Sequence, residues 1–131
     1  MLDRGSGWVL NIASIGAYQP SPRYPSYSAA KSFILNFTEA LSYELRGSRV
    51  VATALSLGSW PPSSSRCPAS RPPRYQRLVM MDSPTVARIG VDAMLKSRPS
   101  LVPGRLNAAG VWANRLLPRR ASAPLANRLM R

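Results

Sequence analysis

Gly7-Trp8-Val9-Leu10-Asn11-Ile12-Ala13-Ser14 is a nearly unbroken apolar run that ends on a hydroxyl. Such a run is the pattern of a strand buried on both faces of a parallel sheet. Ser14–Pro25 carries Gly16, Pro20, Pro22 and Pro25 and therefore reads as a loop. From Ser26 to about Arg46 the periodicity becomes helical. Ala30, Phe33, Ile34, Phe37, Leu41 and Leu45 recur at spacings of three and four and predict one apolar stripe, with Ser26 as cap and Gly47 as stop. Arg49–Leu57 (RVVATALSL) is a second β-branched run of strand length. Strand, loop, long helix and strand make a βαβ unit with a right-handed crossover. One helix covers one face of a parallel sheet, so the rest of the sheet is expected upstream of this unit.

Downstream the pattern weakens. Gly58–Arg74 is dense in Ser, Pro and Arg and has no period, so it reads as a long loop or a disordered stretch. Ser83-Pro84 predicts a cap followed by Pro at the first helical position. It opens a helix to about Lys96 that buries Val86, Ile89, Ala93 and Met94. Ser100–Pro103 suits a short strand. Leu106–Leu117 and Ala123–Met130 read as short amphipathic helices split by Pro118-Arg119-Arg120. The expected architecture is α/β, a partial Rossmann-like, doubly wound parallel sheet lacking its amino-terminal strands.

Composition narrows the chemistry. The chain has 131 residues, enough for one small domain, and 45% of them are hydrophobic. There is no histidine and a single cysteine, Cys67. That excludes an internal disulfide, a cysteine-based zinc site and Ser-His or Cys-His catalysis. The 18 basic and 5 acidic residues give a net charge of +13, and every residue after Asp92 is neutral or basic. A tail of this kind can hold phosphates or acidic lipid, although the plainest reading is a solvated, arginine-rich surface. No apolar run approaches the roughly 18 residues of a membrane span. Met1–Tyr18 reads as a core strand with its flanks, not a signal peptide, and a cytoplasmic location is expected.

Tyr27 and Lys31 stand four residues apart at the start of the long helix and so share one face. A phenol is a poor acid–base group near neutrality, and a fixed ammonium one turn away favours its ionised form. Ser14 ends the first strand at the carboxyl edge, where open α/β sheets place their ligands. The intervening loop can fold the Ser14 hydroxyl back toward the Tyr27 ring. Hydroxyl, phenol and ammonium then converge on one oxygen, an arrangement suited to proton transfer to a carbonyl oxygen undergoing reduction.

These residues resemble the short-chain dehydrogenases/reductases. Asn11-Ile12-Ala13-Ser14 is similar to the family's strand ending in the catalytic serine, and Tyr27-Ser28-Ala29-Ala30-Lys31 to its Tyr-x-x-x-Lys. Thr38-Glu39-Ala40-Leu41 and Glu44-Leu45 resemble the continuation of that helix, and Val50–Gly58 the next strand. The likeness is specific over residues 5–58, the βαβ catalytic unit. It leaves 59–82 as the substrate-loop region and 83–131 as carboxyl-terminal helices of the same domain. The resemblance implies reversible hydride transfer between NAD or NADP and a carbonyl/alcohol pair. Tyr27 would be the acid/base and Ser14 the orienter of the substrate oxygen. Lys31 would favour the phenolate and, with Tyr27 and Gly58, bind the cofactor. The family's Gly-rich dinucleotide loop and first four strands would precede Met1, so the expectation is a catalytic half that is inactive and aggregation-prone alone. The threonine expected four residues after Gly58 is Pro62, with Ser63 as a stand-in. In the family, the helix over 26–46 packs against its copy, which implies a homo-oligomer. A non-catalytic interaction module whose basic tail binds polyanions is the alternative.

Overall fold

The computed structural model describes residues 1–58 and 81–129. The substrate-loop reading over 59–82, with Cys67, Pro62 and Ser63, therefore lies outside the described residues except at its last two positions. In chain order the elements are β1 (Gly7–Ser14), a 3-10 turn (Ile15–Tyr18), α1 (Pro25–Glu44), β2 (Val50–Leu57), α2 (Ser83–Leu95), β3 (Ser100–Leu101), α3 (Arg105–Leu116) and α4 (Arg119–Leu129). The fold is α/β. The sheet has the order β1-β2-β3 and is parallel throughout, with Gly7 opposite Val50 and Ser14 opposite Leu57.

Side chains alternate across the strands, so each face of the sheet has its own cover. On one face Ala13 and Ala54 pack with Leu35 of α1. Small residues there let the helix approach closely. On the other face Gly90 of α2 sits over Leu55 and Leu10, and a β-carbon at Gly90 would come within 2.6 Å of Leu55 Cδ2. On this face the cover is therefore α2. It covers β2 better than β1. Trp8 and Ile12 remain 50% and 42% exposed, so β1 is not buried on both faces as its composition predicts.

The apolar stripe expected on α1 is not its buried face. Phe33 and Phe37 stack on each other with centroids 5.8 Å apart and point to solvent, while Ser28, Leu35 and Thr38 are buried. The inward polar groups are all engaged: Thr38 Oγ1 donates to the Ile34 carbonyl and accepts from Asn11 Nδ2, and Ser32 donates to the Ala17 carbonyl. Hydrogen bonds to β1 and its following turn thus fix the helix's rotation in place of an apolar seam.

Helix starts also differ from the sequence reading. α1 begins with Pro25 at its first position, which needs no N–H partner there, so Ser26 is not the cap. At α2 the cap is Asp82, which accepts the Thr85 amide at 3.0 Å; Ser83 and Pro84 fall inside the first turn. Gly47 has φ +87°, the left-handed conformation that ends a helix at low steric cost. Of the face predicted for α2, Val86 and Ala93 are buried, while Ile89 and Met94 are only half-buried. β3 stops at Leu101. The break between the last two helices is confined to Leu117 and Pro118, and α4 runs on through Pro124.

Candidate active site

Ser14 is the last residue of β1 and is buried. Its Oγ accepts the Gly16 amide at 3.1 Å, capping the 3-10 turn that follows. That bond occupies one lone pair of the hydroxyl and leaves its proton free to be donated outward. Gly16 lies between the two predicted catalytic side chains. A β-carbon at Gly16 would lie 3.5 Å from Ser14 Oγ, 3.6 Å from Ser21 Oγ and 3.9 Å from Tyr27 Cε1. Glycine leaves that space open, and Ser14 and Tyr27 flank it. Tyr27 itself is half exposed at the start of α1.

Lys31 is brought to the same edge, where its ammonium is held by a backbone carbonyl. Its Nζ donates to the Ile12 carbonyl at 2.8 Å and lies 5.8 Å from the Tyr27 ring centroid. The Gly7 amide bonds to the Arg49 carbonyl, so odd-numbered residues of β1 address β2 and even-numbered ones face outward. The ammonium thus caps a carbonyl on the outer edge of β1. Gly58 follows directly on Leu57, which pairs with Ser14, so it too stands at this edge. Its missing side chain is filled by Asn107 of α3, whose Nδ2 would be 2.6 Å from a β-carbon there.

Two further groups shape the site and have no signal in the motif. Tyr18, at the end of the 3-10 turn, shares a hydrogen bond of 3.3 Å with Ser56 of β2, and its carbonyl accepts from Asn114 Nδ2 at 2.9 Å. The turn after Ser14 is thereby tied to the sheet and to α3. Only the seven-residue spacing of Asn107 and Asn114, two turns on one helix face, hints at such a role.

Phenol, hydroxyl and ammonium are all hydrogen-bond donors able to meet an oxygen substituent, and phenol with ammonium suits the hydroxyls of a ribose. The donor set therefore fits a nicotinamide nucleotide's sugar. Residues 1–63 match the sequence profile of the short chain dehydrogenases. A 2-dehydro-3-deoxy-L-rhamnonate dehydrogenase (NAD(+)) of Sphingomonas sp. (strain SKA58) is 40% identical over 55 residues, 42% of this chain and 22% of the relative. An inactive hydroxysteroid dehydrogenase-like protein 1 of Danio rerio is 36% identical over 73 residues, 53% of this chain and 23% of the relative. The chain thus aligns with less than a quarter of the length of either. A structure from a study of 7β-hydroxysteroid dehydrogenase stereoselectivity superposes on 96% of this chain and 49% of its own, with a TM-score of 0.79 and 21% identity, a likeness of fold. Profile and relatives agree on one lineage: residues 1–63 of the chain belong to the short-chain dehydrogenase/reductase family.

Proposed function

We propose that this chain carries the catalytic residues of an NAD- or NADP-dependent interconversion of a small-molecule carbonyl and its alcohol in the cytoplasm. Tyr27 gives the proton to the carbonyl oxygen, and the free proton of Ser14 supplies the second hydrogen bond to that oxygen. A bound reduced nicotinamide, NADH or NADPH, would supply the hydride, with Lys31 and Tyr27 holding its ribose and the Gly58 backbone lying alongside. The Lys31 ammonium has three N–H donors, so it can keep the Ile12 carbonyl and still offer two to ribose hydroxyls. The observation that carries this reading is the open space at Gly16, flanked by Ser14 and Tyr27.

The aligned share of the relatives is small, so the whole reaction is proposed for the chain joined to the remainder of such a fold. Fusing it behind the amino-terminal part of the Sphingomonas relative and measuring NAD(P)H oxidation tests this. Tyr27→Phe should lower turnover by about 10²–10⁴-fold, the usual reach of acid–base catalysis, with the fold intact. A drop under about threefold would assign the proton to another group. A second reading, a non-catalytic module that self-associates through the helix over 26–46, is favoured by the solvent-facing Phe33–Phe37 stack. Phe33→Lys should then dissociate the oligomer on light scattering.

A further inference from the structure

α3 is built inside out. The residues it turns toward the protein are Asn107, Val111 and Asn114, at spacings of four and three. Asn107 bonds the Pro103 carbonyl and packs on Gly58, and Asn114 bonds the Tyr18 carbonyl. The opposite face is apolar and wet. Leu106, Ala109, Ala113 and Leu116 form a stripe, with Trp112 beside Leu116; the three large side chains are 66%, 67% and 76% exposed. A helix held by hydrogen bonds on its inner face gains nothing in water from such an outer one.

The charge along this part of the chain is equally one-sided. After Asp92 the chain has eight basic residues and no acid. Arg105 opens α3, and Arg119 and Arg120 open α4, with no acidic residue in either first turn. A cation at a helix N-terminus opposes the helix dipole and weakens the helix in water. An anionic surface would reverse that sign.

We propose that the outer face of α3, with Arg105 and Arg115 of the same helix, docks on the surface of an anionic lipid bilayer. Trp112, Leu106 and Leu116 enter the boundary between headgroups and acyl chains, while Arg105 and Arg115 meet lipid phosphates. The helix lies in the interface. It does not cross it, and among the described residues no helix is long and apolar enough to do so. The opposite face of α3 stays on Tyr18 and Gly58, so docking is compatible with the proposed site and independent of its chemistry.

Flotation of the full chain with unilamellar vesicles separates lipid-bound protein from any self-associated material. With about 30 mol% phosphatidylserine in phosphatidylcholine the protein should float, and with phosphatidylcholine alone at least about tenfold less. Leu116→Glu or Trp112→Ala should abolish flotation with the circular dichroism unchanged. Arg105→Gln with Arg115→Gln should weaken partition by about 25-fold, roughly fivefold per charge near the surface. Phe33→Lys on α1 should leave it as it is. Equal flotation on neutral vesicles, flotation that survives Leu116→Glu, or loss with Phe33→Lys would each overturn the proposal. So would heparin binding without flotation, which assigns the charge to a soluble polyanion, or an oligomer broken by Leu116→Glu without flotation, which assigns the face to a second copy.

Discussion

β1 and β2 are the same length, lie in the same sheet and pair residue for residue, yet they live in different surroundings. β2 has a strand on each side and a helix on each face, and Ala52, Thr53, Ala54, Leu55 and Ser56 are all buried. β1 has one strand beside it among the described residues, and Trp8 and Ile12 stay half exposed. The two runs are equally apolar on paper. Apolarity records what a strand is suited to, whereas burial is decided by what packs on it. The catalytic candidates sit where the two environments meet: Ser14 ends the edge strand, Lys31 of α1 bonds to that strand's Ile12 carbonyl, and Gly58 lies beyond the central strand.

The largest difference should come from truncating one side chain in each strand. Leu55→Ala in β2 should cost about 2–5 kcal/mol in chemical denaturation, and Ile12→Ala in β1 under about 1 kcal/mol, because water already reaches Ile12. Equal losses would break the contrast. A smaller effect is expected at Gly90, where α2 presses harder on β2 than on β1. Gly90→Ala should cost roughly 1 kcal/mol, overpacking against Leu55 outweighing the gain in helix propensity. Adding Leu55→Val should recover it, and adding Leu10→Val should not. Trp8→Lys should change stability by no more than about 0.5 kcal/mol but reduce self-association on sedimentation, since charge blunts an open strand edge.

The smallest effect concerns the cap that holds α2 over β2. Hydrogen bonding from Thr85, its amide foremost and then its hydroxyl, holds the Asp82 carboxyl below the usual carboxylate range. A carboxyl depressed by folding adds stability above its unfolded value and loses it as the pH falls through the folded one. Acidification below about pH 4 should therefore fray α2 first and raise hydrogen exchange at Thr85 and Val86. Asp82→Asn, still able to cap, should flatten that dependence.

The βαβ core was legible because it rests on short-range rules: two apolar runs, a helical period and a Gly that must turn left-handed at 47. Ser14, Tyr27 and Lys31 were legible as a motif because strand end and helix start force them to one edge. What could not be read was the direction in which faces point. Phe33 and Phe37 look like core and are not, because Thr38, Ser32 and Asn11 settle the rotation of α1 through hydrogen bonds invisible to a hydrophobic count. α3 repeats the case with Asn107 and Asn114. The helix of α2 was legible, but its seat on the sheet was not, because the closest approach is made by Gly90, which has no side chain for a periodicity to score. Lys31's bond to the Ile12 carbonyl depends on that carbonyl facing outward, a matter of register.

The bond from Asn114 to the Tyr18 carbonyl spans 96 residues, and that span orders events in time. Closing so long a loop costs chain entropy that nearby contacts do not, so such contacts form late in folding. β1, α1 and β2 lie within the first 57 residues and can assemble while the rest of the chain is still being made. The turn beside Ser14 receives its last restraint only when α3 has emerged and docked. A nascent chain would hold its phenol and ammonium early and its serine loop only once α3 has docked.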